Sequence, residues 1–540
     1  MLDANLWARG LHRRSTRSLR PLLLAALAAP LSVARAQFEH AEIYGASIAG
    51  ARFGHSVALD GDLLIVGAPE SAQAFAYRFE QGAWVQDGPT WSDDAGSRFG
   101  WRVALQGSLA IVGAPYDTVA GVARAGSVSV YRRVGVGQWI PLPTLSAPDA
   151  PTVDAFFGQA LELSSQGVLA VGEPGFQAND GRAHVYEFAS GQLALHTTLF
   201  PTITPAAARF GFTVAIDGDL IAVSAPWDEA APSFTPDAGT VRTYRRNGGG
   251  AWVAANTLID GSTSYQFGTR LELRGDLLVV GPAATEASKV QTVFQWNGAA
   301  WVKVHTDNGL AFGSNPELAP VPLLRDGELL RTQPRTATVP PTTAHGSVLR
   351  YWISSGGATT LKYDFYCMDQ LAESFGAAAA VSGQRLVVGA PTYAGTAGAQ
   401  QGRVHTFDLS VPAWNWTFHG TGILDTVGHV PRITGAGSLH VGNMAGFALD
   451  SKFGGRPAFL VAGFSMLELP LFSGLLYPQP EVILPFVTDF AGDVNYKFAW
   501  PSGLPASAPI IAQYFVYIAG HAVAPPDGVV ATNASVGTPP

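Results

Sequence analysis

Phe53-Gly54-His55-Ser56-Val57-Ala58-Leu59-Asp60-Gly61-Asp62-Leu63-Leu64-Ile65-Val66-Gly67-Ala68-Pro69 holds the pattern that decides the fold. A Phe-Gly pair opens it, a short alternating run follows, Asp60-Gly61 turns the chain, Leu63 to Val66 is continuously apolar, and Gly-Ala-Pro closes it. Asp-Gly between two such runs favours the positive backbone angles of a two-residue hairpin turn, so the flanking segments read as antiparallel neighbours. The pattern returns from Phe99, Phe157, Phe210, Phe267, Phe312 and Phe375, at spacings of 46, 58, 53, 57, 45 and 63 residues. That period suits four short strands with loops of varying length, the spacing of propeller blades.

Within each unit the run after Phe-Gly is strand A and the apolar run after the turn is strand B. Leu63 to Val66, Leu109 to Val112, Leu277 to Val280 and Leu386 to Val388 are apolar throughout, as expected of strands covered on both faces. Strand C alternates, as in Gly126 to Tyr131 and Gly239 to Tyr244, and strand D starts at a tryptophan: Trp84, Trp139, Trp252 or Trp301. The phenylalanine of each pair is expected to fill the seam between blades, and the glycine to permit close backbone approach there.

These residues resemble FG-GAP repeats, the units of the integrin alpha-chain head and of many bacterial surface proteins, over roughly residues 38–418. Seven copies imply a seven-bladed β-propeller. The third copy ends in Gly172-Glu173-Pro174 and the fourth in Ser224-Ala225-Pro226, while the sixth keeps only Phe312-Gly313, Asp326-Gly327-Glu328-Leu329-Leu330 and Pro334. Calcium-binding members carry an Asp-rich loop between strands A and B. Here that link is only Asp60-Gly61-Asp62, Asp217-Gly218-Asp219 or Gly275-Asp276, too short to supply six or more oxygens. No metal or other cofactor is expected. Two segments compete to close the ring: residues 38–44, or Trp414 to Phe418.

The chain is therefore expected to be all-β, with a leader at residues 1–36, the propeller at 37–418 and a small β-sandwich-like domain at 419–540. The last region is Gly- and Pro-rich with apolar runs at Ala458 to Val461, Val482 to Pro485 and Ile510 to Val516. Its ending, Ala512-Gln513-Tyr514-Phe515-Val516 and Thr532-Asn533-Ala534, is similar to a C-terminal β module of secreted proteins of planctomycete-like bacteria.

Arg13, Arg14, Arg17 and Arg20 precede an apolar run from Pro21 to Leu31, and Ala34-Arg35-Ala36 fits a cleavage site, so the leader reads as an export signal. A secreted, extracellular or cell-surface destination follows, with the periplasm as the alternative. Removing six arginines and one aspartate leaves 27 basic and 40 acidic residues, a net of −13. Such a balance argues against a nucleic-acid partner and against adsorption to anionic lipid. No later stretch reaches eighteen consecutive apolar residues, so no membrane-spanning segment is expected after cleavage. Cys367 is the only cysteine, which excludes an intramolecular disulfide.

No catalytic constellation stands out: H-E-x-x-H, G-x-S-x-G and G-x-x-x-x-G-K-[ST] are all absent, and the histidines, among them His55, His184 and His405, are scattered singly. Topology offers a better lead. In a four-stranded blade the B-to-C and D-to-A loops share one face of the disc, and the B-to-C loops here start directly after Gly-Ala-Pro. They present Glu70, Tyr116, Asp117, Glu173, Phe176, Trp227, Asp228, Glu229 and Tyr393. Aromatics interleaved with carboxylates suit recognition of a protein or glycan, with Trp227 and Tyr116 as the apolar contacts. The expected function is binding or adhesion without enzymatic activity. The alternatives are a polysaccharide lyase or hydrolase, which would need ionisable groups converging on a pocket near the axis, and a purely structural envelope component.

Overall fold

The computed structural model describes residues 39–45, 48–201, 207–229, 237–259, 266–281, 289–309, 321–325, 328–333, 347–353, 359–366, 374–393, 400–409, 415–419, 432–437, 444–451, 453, 455–471, 474–488, 493–499, 510–518, 529–532 and 534–538. The leader at 1–36 and the sixth Phe-Gly pair lie outside them. The chain divides between Val411 and Pro412 into two compact units.

The first unit is a β-propeller. Among the described residues it holds seven antiparallel sheets of four strands, one with a short addition. Blade 1 runs Ser56–Asp60, Leu63–Ala68, Gln73–Glu80 and Ala83–Gln86, with Trp91–Ser92 paired to its third strand. Blade 2 runs Arg102–Gln106, Leu109–Ala114, Ser127–Gly135 and Gln138–Leu145. Blade 3 runs Ala160–Leu163, Val168–Glu173, Arg182–Ala189 and Gln192–Leu199, and blade 4 Val214–Asp217, Leu220–Ala225, Thr240–Arg246 and Trp252–Leu258. Blades 5 and 6 start at Arg270–Arg274 and Pro322–Arg325. In blade 7, Ala378–Ser382, Arg385–Ala390 and Arg403–Asp408 are completed by Glu39–Tyr44 from the start of the propeller.

That pairing answers the question of closure. Ile43 lies opposite Val404 in antiparallel register, and Phe53 donates its N–H to the Gln401 carbonyl at 3.1 Å. The competing segment goes elsewhere: Asn415–His419, most of which the sequence reading assigns to the propeller, pairs with Ala534–Thr538 of the second unit. Neighbouring A strands touch in sequence order around the ring, and Ala378–Ser382 returns to Ser56–Asp60.

Each seam has its own apolar core, made half from one blade and half from the next. Ala58 and Ile65 of blade 1 pack with Phe99, Val103 and Val112 of blade 2, and Phe53 packs with Val387 and Val404 of blade 7. Phe53, Phe99, Phe157, Phe210, Phe267 and Phe375 are all fully buried. Six phenylalanines at one repeat position thus act as wedges, each worth about 3–5 kcal/mol against alanine.

Glycine is required for a separate reason. A Cβ on Gly67 would lie 2.0 Å from the Gly100 carbonyl oxygen, and one on Gly100 would lie 2.4 Å from the Gln73 oxygen. The Gly-Ala-Pro glycine of one blade thus faces the Phe-Gly glycine of the next with only backbone between them. On the opposite end of the blades the A-to-B turns stitch the ring: Asp60 accepts the Gly107 N–H at 2.6 Å, Asp217 the Gly275 N–H at 2.7 Å, and the Ser382 hydroxyl the Gly61 N–H at 2.9 Å. The short turns read from the sequence thus commit these oxygens to the neighbouring backbone.

The second unit is a β-sandwich. One sheet is ordered Asn415–His419, Ala534–Thr538, Ile510–Tyr517, Pro457–Gly463 and Val482–Val487, with Val529–Ala531 also on Ile510–Tyr517. The other holds Arg432–Gly437, Met444–Asp450 and Asp493–Ala499. Ile433, Phe447 and Leu449 pack from the second onto Leu460, Ala512, Tyr514 and Val516 of the first. Buried Gln513 donates to the Leu475 and Thr532 carbonyls at 3.0 and 2.8 Å and accepts the Tyr477 N–H at 3.1 Å, tying three segments together.

Two glycines with the same backbone sign separate conformational strain from contact. Gly96 (φ 92°) has open space where a Cβ would go, whereas Gly100 (φ 90°) does not. Gly96→Ala is expected to cost about 1 kcal/mol, the ordinary penalty for a left-handed residue. Gly100→Ala is expected to cost about 3 kcal/mol or more. Urea midpoints of the two variants, measured side by side, check the difference.

Candidate ligand-binding face

Among the described residues, five Phe-Gly pairs form the two central positions of a hydrogen-bonded β-turn. Trp101 donates its N–H to the Arg98 carbonyl at 3.0 Å, His55 to Arg52 at 3.0 Å, and Phe212 to Arg209 at 3.1 Å. Gly54, Gly100, Gly158 and Gly211 have φ between 85° and 90°, which that position of the turn demands. The residue before the phenylalanine is also left-handed: Arg52 (φ 55°), Arg98 (60°), Phe156 (56°), Arg209 (53°), Gln266 (64°) and Ser374 (54°). Each of these non-glycine residues pays about 1–2 kcal/mol for that conformation. The side chains of Arg52, Arg98, Phe156, Arg209 and Ser374, with those of Trp101 and Phe212 after the glycine, lie beside the B-to-C loops.

The loops meet there through backbone contacts, Tyr116 N–H to the Ser97 carbonyl at 3.0 Å and Gly175 N–H to Ala155 at 3.0 Å. Tyr116 is half-buried, 5.3 Å from the Phe156 ring and 6.2 Å from Trp101, with the Arg98 guanidinium 5.4 Å over its ring. Arg98 also pairs with exposed Glu70, which lies 3.6 Å from Arg52 as well. Trp227 is half-buried too, edge-on to Phe212 at 4.9 Å and faced by the Arg209 guanidinium at 4.6 Å. Arg182 lies 3.6 Å over Phe176, and Arg403 4.1 Å over Tyr393. Asp117 is half-buried, its carbonyl accepting the Gly126 N–H, and Glu229 is exposed.

Two of the residues read as rim are not on it. Glu173 is completely buried, bonded to Arg182 Nε at 2.5 Å and His184 Nε2 at 2.8 Å, and Arg182 reaches on to Asp149. It occupies the alanine position of Gly-Ala-Pro, where strand B ends against strand C, and a carboxylate survives there only because strand C supplies two cationic or donor partners. Asp228 is buried beneath its loop, accepting from the Thr240 hydroxyl at 2.7 Å. Both hold the loops from below.

The face also contains residues that the sequence reading left as scaffold or did not single out: Arg52, Arg98, Trp101, Phe156, Arg209 and Phe212. The signal for them was present. Aligning the repeats on Phe-Gly shows large or cationic side chains on both flanks of the first four copies, where Ser374 and Ala377 show that small ones suffice for the turn.

The seven A strands enclose a cavity of about 240 Å³ along the axis. Arg102 and Arg270 line it one register position below the loop face, level with Ser56 and Thr213, and Glu162 and Glu272 line it two residues further along their strands. Glu162 is exposed to the cavity and Glu272 half-buried, and protein surrounds both carboxyls. Loss of bulk hydration pushes Glu162 up to about 7, opposed by Arg102 and helped by Asp217. The same loss of hydration, then the Glu162 charge, pushes Glu272 up to about 8, opposed by the Leu324 N–H and Arg274 and helped by Asp217. Among the described residues, no helix is long and apolar enough to cross a membrane.

A family model described as FG-GAP repeat matches the chain at residues 47–79, 92–131 and 202–241, three of the repeat units of this propeller. No curated protein matches the chain. Solved structures similar to it include a 6-phosphogluconolactonase-like protein from Bacteroides uniformis, at 12% identity and TM-score 0.42 over 58% of this chain and 85% of the other, and one from Bacteroides fragilis, at 13% and 0.40 over 62% and 86%.

The channel carboxyls predict a pH dependence of stability. Their folded pKa values lie above the ordinary 4.5, so the stability they permit is full below about 4.5 and is lost as pH rises through about 7 and 8. Thermal midpoints from pH 4.5 to 8.5 should fall more steeply for the native chain than for Glu162→Gln/Glu272→Gln. Equal slopes would contradict the assignment.

Proposed function

We propose that this chain is an exported binding or adhesion protein that recognises a protein or glycan through the loop face of its propeller. The observation that carries the reading is the left-handed residue before each of the six described Phe-Gly pairs. Glycine would satisfy the backbone there at lower cost, yet the chain places Arg52, Arg98, Phe156 and Arg209 at four of the six described copies. Strain retained at one repeat position, with large side chains stacked on loop aromatics, is the mark of a surface kept for contact. The basic and apolar leader supports export, and a partner outside the cell is the one such a face would meet.

Recognition would run through Trp101, Tyr116 and Trp227, whose rings are half-buried and held by Arg98 and Arg209. Rings fixed on one side and open on the other lose little freedom on binding, which favours them as contact anchors. A second reading, a polysaccharide-active enzyme, draws on the two raised carboxyls near the axis. Its weakness is size: about 240 Å³ falls below the ~300–1,000 Å³ of small-molecule pockets, so a polymer chain would not enter.

Trp101→Ala/Tyr116→Ala/Trp227→Ala is expected to weaken retention on cell-surface or polysaccharide material by at least about tenfold. Circular dichroism of the variant checks that the sheets persist. Unchanged retention by a folded variant would remove the proposal.

A further inference from the structure

Three aromatic rings from blades 2 and 3 follow one another across the loop face. The centroids of Trp101 and Tyr116 are 6.2 Å apart and those of Tyr116 and Phe156 5.3 Å apart. Trp101 makes no ring contact with Phe156 among the described residues, so the three are strung out in a strip. Each is half-buried. The Arg98 guanidinium lies 5.9 Å from the Trp101 centroid and 5.4 Å from that of Tyr116, which steadies both rings.

The B-to-C loop of blade 3 continues the strip beyond Phe156. Gln177, Ala178 and Asn179 are left-handed in succession (φ 47°, 58° and 77°), and Phe156 is left-handed as well (56°). Each non-glycine residue in that conformation crowds its Cβ against the backbone, a cost that glycine avoids and that Gly181 in the same loop does avoid. Gln177 and Ala178 are exposed, so no core packing accounts for the choice. The loop sits against the ring: a Cβ on Gly175 would lie 3.0 Å from Phe156 Cδ2. Strain kept in an exposed loop beside open rings points to a ligand, and the side chains that Gln177 and Asn179 add are amides, which donate and accept.

The charges along the strip are paired with one another. Arg98 pairs with Glu70 and Arg124 with Asp154, while half-buried Asp117 beside Tyr116 adds a carboxylate. Such pairing does not complement an acidic polymer. A sugar with equatorial hydroxyls does fit, because its C–H bonds form an apolar face for a ring and its hydroxyls a polar rim for amides and carboxylates. The steps between the rings are comparable to the length of one sugar unit in an extended chain.

We infer that Trp101, Tyr116 and Phe156 are consecutive sugar subsites for a neutral, β-1,4-linked polysaccharide, with Gln177 and Asn179 bonding its hydroxyls beyond Phe156. The inference rests on the proposed reading of the loop face and narrows its partner to one class of glycan. Neighbouring rings are tilted by 46° and 49°, which suits a single dissolved chain whose sugars rotate about each linkage, and not the flat surface of a crystalline polymer.

The full chain is titrated calorimetrically with cello-oligomers and N-acetylglucosamine oligomers of two to six units, and with a galacturonate hexamer. Saturable binding of at least one neutral series is expected, with affinity rising about tenfold or more from dimer to tetramer and then levelling, and with the acidic hexamer bound about tenfold more weakly. Phe156→Gly and Gln177→Gly/Asn179→Gly put glycine at left-handed positions. Both variants are therefore expected to raise the urea midpoint while weakening the neutral hexamer about fivefold or more, a combination that misfolding does not produce. Unchanged binding, or a lowered midpoint, in both variants overturns the assignment. Tighter binding of the galacturonate hexamer than of either neutral hexamer overturns the neutral class. Binding of neither neutral series, with the native chain still retained on cell-surface material better than Trp101→Ala/Tyr116→Ala/Trp227→Ala, overturns the glycan strip and leaves a protein partner for the face. Failure of the broader reading looks different, because retention of those two chains would then be equal.

Discussion

Backbone meets backbone at the seams of this propeller, and the rest of the architecture follows from that approach. Where Gly67 faces the Gly100 carbonyl there is no room for a methyl group, so two sheets come together more closely there than side chains would allow. The phenylalanine one residue earlier fills the wider space beyond the contact, and the left-handed glycine turns the chain into strand A. One dipeptide thus fixes the spacing of two blades, the apolar wedge between them and the direction in which its flanking side chains leave the seam.

The two ends of the ring consequently differ in character. At the A-to-B turns, polar oxygens are committed to the next blade: Asp60, Asp217 and Ser382 each hold a neighbouring glycine N–H. At the other end the seams throw arginines and aromatic rings onto the B-to-C loops, and the axial cavity opens between arginine and carboxylate layers. The first arrangement spends its polar groups on closure. The second leaves rings open on one side, and this asymmetry makes the loop face the candidate for recognition.

Much of this was legible in the chain because its causes are local. Period, hairpin turns and the apolar B strands are properties of short segments, and Phe53 or Leu109 to Val112 declare their burial by composition alone. Burial of polar residues was not legible, because it depends on partners distant in sequence. Glu173 looks like loop decoration until Arg182 and His184 arrive beside it from strand C, and Asp228 until Thr240 does. Closure had the same difficulty, since Glu39–Tyr44 finds Arg403–Asp408 more than 350 residues away. The flanks of Phe-Gly were visible but were absorbed into a scaffold motif, and only the geometry of the turn shows that Arg98 and Arg209 bear strain that glycine would avoid.

The account stands on a ring of sheets that the first strand closes by pairing with the last blade. In a Cys367→Ser background, cysteines at Ala41 and Thr406, which are cross-strand partners, should lie within the ~4.4–6.8 Å Cα separation that a disulfide spans. Oxidation of the folded protein should form that bond quantitatively, with free thiols lost and the thermal midpoint raised. Two titratable thiols persisting in the oxidised, folded chain would contradict the closed ring.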